Sequence, residues 1–338
     1  MAVLLLGNGI NRNEGLVCSW EELFTSTFEN DNKKCDTTDS QIDESDSRAD
    51  LFPSIEGLTM TLGFDLKEFY AIDHAIAENS TDLKRKIADS MRQQMEKKIS
   101  ESGFKWEKAV HWDLMNLPIS TYLTTNYDYA LETAFNPSFK SCRGSNETIY
   151  SRYRRHTVNV GSESKTVYHI HGELHVPKSI CLGFEQYSGT LEKIRSDLVK
   201  STKKSEDPAD EHTYHLRDVM MGIKKEDGND EDDGSWYLKF FKEDIYILGL
   251  SLDFSEQDIW WLLDYRIRKK HYEKNDLDIC NKVYFFDTDT PDRLSEKEYK
   301  ARNELLRAFG VEIVYLSGDS YDEKYRNAVR IIEDSIRA

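Results

Sequence analysis

The chain is poor in the features that mark several protein classes. It has only five cysteines, Cys18, Cys35, Cys142, Cys181 and Cys280, and no two of them form a CxxC pair. An odd number at such spacing argues against a disulfide framework and a four-cysteine zinc site, and fits a reducing cytoplasm. Basic residues are outnumbered, 45 Lys and Arg against 62 Asp and Glu, for a net charge of −17. That balance disfavours direct nucleic-acid binding, which needs a clustered basic face, and an anionic membrane surface, while leaving room for a local phosphate pocket. Long apolar runs are missing too. Stretches such as Ile245 to Leu250 fall far short of the roughly 20 residues a membrane span requires. Ala2 to Leu6 has no basic flank and runs into Gly7-Asn8-Gly9, so it reads as a first strand and not a signal peptide.

What is present suffices for a large core: 38 % of 338 residues are hydrophobic, enough for one big α/β domain or two modest ones. Short apolar runs alternate with longer helical patterns, the signature of a mostly parallel sheet with helices packed on it. Strands are expected at 3–6, 119–123, 166–170, 244–249, 282–286 and 311–316. Helices are expected at 82–100, where Leu83, Ile87, Met91 and Met95 share a stripe, and at 255–270, 296–309 and 321–336. Ser19 with Glu22 forms a capping-box pattern. The segment 30–50 is acidic and polar and reads as a surface loop; 201–235 is charge-dense and reads as an insertion around a short helix-like piece at 214–223. The whole of 1–338 is read as a single domain: a core of 1–29, 113–200 and 236–338, with a helical subdomain over about 56–112 beside the sheet.

Polar residues cluster where strands end, which is where open α/β sheets place their chemistry. Gly7-Asn8-Gly9-Ile10-Asn11 follows the first strand. Glycines there let a backbone approach a pyrophosphate, although Arg12 occupies the third glycine position of GxGxxG. A tight turn needing positive φ explains them equally well. Thr124-Thr125-Asn126-Tyr127-Asp128 follows the second strand. Asn126 and Asp128 offer an amide and a carboxylate two residues apart, suited to a carboxamide, a ribose hydroxyl or a water, or to an ordinary capped turn. His171, before Gly172, is a reasonable general base or a histidine bonded within its turn. His169 and His175 are weaker candidates, and His169-x-His171 lacks a third metal ligand at a typical offset. Gly249-Leu250-Ser251 offers a turn and a hydroxyl for phosphate or ribose, and Asp287 ends the fifth strand, where it could line an adenine pocket. Trp260 and Trp261 read as core or interface residues.

The order Gly-x-Gly, Thr-x-Asn-x-Asp, His-Gly, Gly-x-Ser-Leu resembles the sirtuin family. The Leu-Thr-Thr-Asn-Tyr-Asp form and Leu182 to Tyr187 are similar to bacterial sirtuin-like domains of anti-phage defence, which consume NAD. The resemblance implies a Rossmann-like fold with helices on both faces and NAD as substrate. It implies catalytic roles for Asn126, Asp128 and His171, and a cofactor-binding set of Gly7, Asn8, Gly9, Asn11, Thr125, Gly249, Ser251 and Asp287. It further implies NAD+ hydrolysis to nicotinamide and ADP-ribose with no metal, a homo-oligomer, and an ATPase partner of the HerA type. The zinc module of protein-deacylating sirtuins has no counterpart, since no CxxC pair exists. Alternative readings are a non-catalytic NAD- or ADP-ribose-binding assembly module, a deacylase, or an ADP-ribosyltransferase.

Overall fold

The computed structural model describes residues 2–18, 23, 80–101, 103–141, 149–160, 163–199, 234–252, 256–271, 279–288 and 296–337. The Ser19–Glu22 cap, the 30–50 loop, the 56–79 part of the helical subdomain and most of the 201–235 insertion lie outside them.

The chain begins with β1 (Ala2–Leu6) and a one-turn helix α1 (Gly9–Asn13), and continues through α2 (Ser80–Ser100), α3 (Val110–Met115), β2 (Thr121–Thr124) and α4 (Ala130–Phe135). A hairpin of β3 (Arg155–Val160) and β4 (Glu163–His169) leads to α5 (Phe184–Val199). The rest is α6 (Lys239–Lys242), β5 (Asp244–Leu248), α7 (Gln257–His271), β6 (Val283–Asp287), α8 (Glu296–Ala308), β7 (Val311–Tyr315) and α9 (Tyr321–Arg337).

Seven strands form one sheet in the order β3-β4-β2-β1-β5-β6-β7. Every pairing is parallel except that of β3 with β4. With the antiparallel edge strand set aside, the order is third, second, first, fourth, fifth, sixth, the doubly wound Rossmann arrangement. The central strands are hydrophobic on successive residues because both faces are covered. In β1, Val3 and Leu5 face one core while Leu4 and Leu6 face the other. The first core is closed by Ile194 and Leu198 of α5, Phe240 and Phe241 of α6, Ile259, Leu262 and Leu263 of α7, and Leu306 of α8. The second is closed by Val110 and Leu114 of α3, Leu131 of α4, and Tyr325, Ala328 and Ile332 of α9. Trp260 and Trp261 pack, partly buried, against the first core.

All six expected strands and all four expected long helices are present, and β3 adds a strand that the apolar runs did not announce. The expected stripe of α2, Leu83, Ile87, Met91 and Met95, is buried in a third cluster with Trp106, Tyr127, Leu174 and Leu182. Tyr127 and Leu174 follow β2 and β4, so α2 packs beside the carboxyl ends of those strands. Helix α3, counted above with the side subdomain, packs on the sheet itself.

Candidate active site

Register brings the strand ends level. Leu6 pairs with both Thr124 and Leu248, and Thr124 pairs with His169. The loops after β1, β2, β4 and β5 therefore leave one edge of the sheet from a common row. Asn8, Asn126 and His171 each stand two residues beyond it. The strand order reverses between β1 and β5, and the crevice at that point is where open α/β sheets bind ligands.

The loops after β1 and β5 hold each other. The Gly7 amide donates to Leu248 O (3.0 Å) and the Gly9 amide to Gly249 O (2.8 Å). Positive φ is not what Gly7 and Gly9 supply: of the three glycines here, only Gly249 is left-handed, at φ 69°. Gly7 is required by close approach, since a Cβ there would lie 2.5 Å from Gly249 O. Asn8 Oδ1 is buried and takes no hydrogen bond among the described residues. Asn11 is buried and spans two partners: its Nδ2 donates to Asp128 Oδ2 (2.6 Å), and its Oδ1 faces His111 Nε2 at 2.7 Å. Burial pushes the His111 pKa down to about 3, so the ring is neutral and donates from Nε2.

After β2, the Thr125 amide donates to Leu6 O (3.1 Å), tying this loop to β1. Asn126 is half-buried; its amide donates to Thr124 Oγ1 (3.0 Å) and its Nδ2 to Gly7 O (3.4 Å). Asp128 is buried, with Oδ1 accepting the Ala130 amide (3.0 Å) at the start of α4 and Oδ2 held by Asn11. It thus both accepts the first amide of a helix and tethers the first loop. Burial raises its pKa to about 6 against the hydrogen bond from Ala130.

After β4, His169 and His171 have different surroundings. His169 Nδ1 faces Asn126 O (3.1 Å) and its Nε2 faces Glu132 Oε1 (2.8 Å). Burial opposes the charged ring, but Glu132, with Glu173 and the Asn126 carbonyl, raises the pKa on balance. A carbonyl and a carboxylate both accept, so His169 is a strut held at both ring nitrogens beneath Asn126. His171 Nε2 lies 3.0 Å from Asp258 Oδ2, and its Nδ1 lies 3.5 Å from Glu256 Oε2. The Tyr187 ring meets it edge to face at 5.1 Å. The donor atoms of His171, Glu256 and Asp258 lie within 4.8 Å of one another, a set able to hold a metal ion. In this structure His171 is hydrogen-bonded to Asp258 through Nε2. His175, further on, is exposed and packs against Tyr129.

Ser251 and Asp287 are joined through α8. Arg302 donates to Ser251 O (3.1 Å) and to Asp287 Oδ2 (3.2 Å). Asp287 also accepts from Tyr299 (2.8 Å) and Asn303 (3.4 Å). Its carboxylate is turned toward α8.

The sequence reading passed over Glu132, Arg302, Glu256 and Asp258. They sit on or beside helices and show no local pattern with the histidines or loops they meet. An acidic residue in the first turn of α7 reads from sequence only as a complement to the helix dipole.

This strand order, with polar side chains at level strand ends around the switch point, defines a Rossmann-like α/β architecture. A family model described as SIR2-like domain matches residues 120–207, the stretch that carries Asn126, Asp128 and His171. Over that stretch the chain is similar to SIR2-like domains, a family whose members use NAD. No curated protein matches the chain.

Proposed function

We propose that the chain is an NAD+ glycohydrolase. The observation that carries this reading is the placement of Asn126 and His171, each two residues beyond the level ends of neighbouring strands and both within the SIR2-like segment. The reaction breaks the bond between nicotinamide and C1′ of its ribose. Nicotinamide leaves with the bonding pair, positive charge develops on the ribose, water attacks C1′, and its proton passes to His171. Products are nicotinamide, ADP-ribose and a proton.

Each side chain has a task suited to its surroundings. Asn126, braced by Gly7 O and by the His169 strut, orients the ribose or the attacking water. Asp128 serves the nicotinamide end and holds Asn11 beside it. Thr125, Asn8 and the interlocked loops of Gly7, Gly9 and Gly249 flank the pyrophosphate. Ser251 and Asp287, joined by Arg302, form the adenosine side. Fixed dipoles and charges aimed at the developing cation accelerate such a reaction more than any covalent step.

Within the cell, depletion of NAD+ in anti-phage defence is the role this activity suits, in the cytoplasm. A homo-oligomer and an ATPase partner of the HerA type would hold it in check. The test is to incubate the purified chain with NAD+, alone and with any assembly partner, and to follow nicotinamide release alongside NAD+ binding. Asn126→Ala and His171→Ala are expected to lower turnover at least about 10²-fold with binding retained. Bound NAD+ that is never cleaved in any state would refute the enzyme and leave a binding module.

A further inference from the structure

His171 is braced on several sides, and the braces differ in kind. Asp258 is fully buried, and its Oδ1 already accepts the Ile259 amide (3.0 Å) at the start of α7. Only Oδ2 is turned to the imidazole, 3.0 Å from Nε2. Asp258 stands in the first turn of a fifteen-residue helix, and a carboxylate only accepts. Nε2 must then carry the proton. Glu256 stands 3.5 Å from the other nitrogen, just before the same helix. Tyr187 of α5 meets the ring edge-on, and the His171 carbonyl accepts the Cys181 amide (2.8 Å). Ring plane and one of the two nitrogens are therefore fixed from α5 and α7, and the backbone by Cys181 within the connection that carries the histidine.

We infer that Asp258 is the positioning residue of the site: it fixes the His171 ring with a proton on Nε2, which makes Nδ1 the atom that takes the proton from water. The inference rests on the NAD+ hydrolase reading for its catalytic meaning, though not for its geometry. When Nδ1 is protonated the ring becomes an imidazolium between two carboxylates. Asp258 on Nε2 and Glu256 beside Nδ1 both stabilise that cation. A carboxylate that sets the tautomer and orientation of a histidine base is a recurrent device in hydrolytic sites. Here it comes from a helix 87 residues further along the chain.

Two measurements test it. The first uses the wild-type chain labelled with 15N in histidine, with the His171 signals assigned by comparison with His171→Gln. Long-range proton–nitrogen correlations of the neutral ring are expected to place the proton on Nε2. A proton on Nδ1 would overturn the inference, and this arm needs neither turnover nor a buried substitution. The second compares Asp258→Asn and Asp258→Glu for NAD+ cleavage. Asparagine can offer its amide N–H to Nε2 and so favour the opposite tautomer. It is expected to lower kcat by about 10²–10⁴-fold with KM for NAD+ changed less than about 3-fold, and glutamate to recover part of the loss. A loss expressed in KM, or an Asp258→Asn enzyme within about 3-fold of wild type in kcat, would contradict it. Absence of cleavage in the wild type would refute the hydrolase reading, and the tautomer of His171 would still be decided by the first arm.

Discussion

Replacing Asp128 with asparagine gives a pH signature that follows from its burial. The folded carboxyl titrates near 6, against 3.8 for an unperturbed one, because burial penalises the ion. A carboxyl with a raised folded pKa binds its proton more tightly in the folded state. Its contribution is thus greatest below the unfolded value and is lost as pH rises through the folded one. Between pH 3.8 and about 6 the wild type should lose about 3 kcal/mol relative to a chain without that carboxyl, and nothing further above it. Asparagine is such a substitute. Its Oδ1 can still accept the Ala130 amide, and Asn11 can turn its own amide over to suit the new N–H group. That turn presents an N–H to His111. The ring is neutral, and its Nδ1 takes no hydrogen bond among the described residues, so it can carry the proton there and accept at Nε2. These rearrangements add an offset that does not vary with pH. The assay is urea unfolding of both proteins from about pH 4 to about pH 7, read as the difference in unfolding free energy at each pH. Over that range the difference should move by about 2.4 kcal/mol in favour of Asp128→Asn as pH rises, and then level off. A difference that stays flat across the range would refute the raised pKa and the buried placement behind it.

Gly7→Ala puts a Cβ 2.5 Å from Gly249 O, so the interlocked loops must part; a loss of about 1–3 kcal/mol in urea unfolding is expected, and an unchanged midpoint would contradict the packing. Arg302→Met leaves buried Asp287 without its ion pair while Tyr299 and Asn303 still donate, so a loss of about 3 kcal/mol is expected, with the Arg302→Met, Asp287→Leu double variant recovering most of it. A single variant as stable as wild type would show that the pair does not tether α8. Glu132→Gln removes the group that raises the His169 pKa, and an NMR titration should show that pKa falling; an unmoved value would mean that other neighbours hold the charge.

The strands were legible because burial on both faces leaves a run of apolar residues, as in Tyr246-Ile247-Leu248. Each expected strand lies within three residues of the observed one. Strand β3 escaped because it opens on three polar residues, Arg155-His156-Thr157, and pairs only at the sheet edge. The Gly161-Ser162 dipeptide between it and β4 is the hairpin signal that marks it. In the candidate site, Asn126 and His171 stood out because both follow strands. Their supports did not: Glu132, Asp258 and Arg302 come from helices and meet their partners only through tertiary packing. The glycines show a subtler difference. A turn with positive φ and a close approach of two loops both demand glycine, and only coordinates tell that Gly7 serves the second.

The central claim is that water is the acceptor at C1′. Its most direct test is a product balance: NAD+ turned over by the purified chain, with nicotinamide and ADP-ribose both quantified in the same reaction. Hydrolysis predicts the two in equal amounts and the loss of both in His171→Ala. Nicotinamide without matching free ADP-ribose, the remainder being attached to protein or to an acyl group, would contradict it.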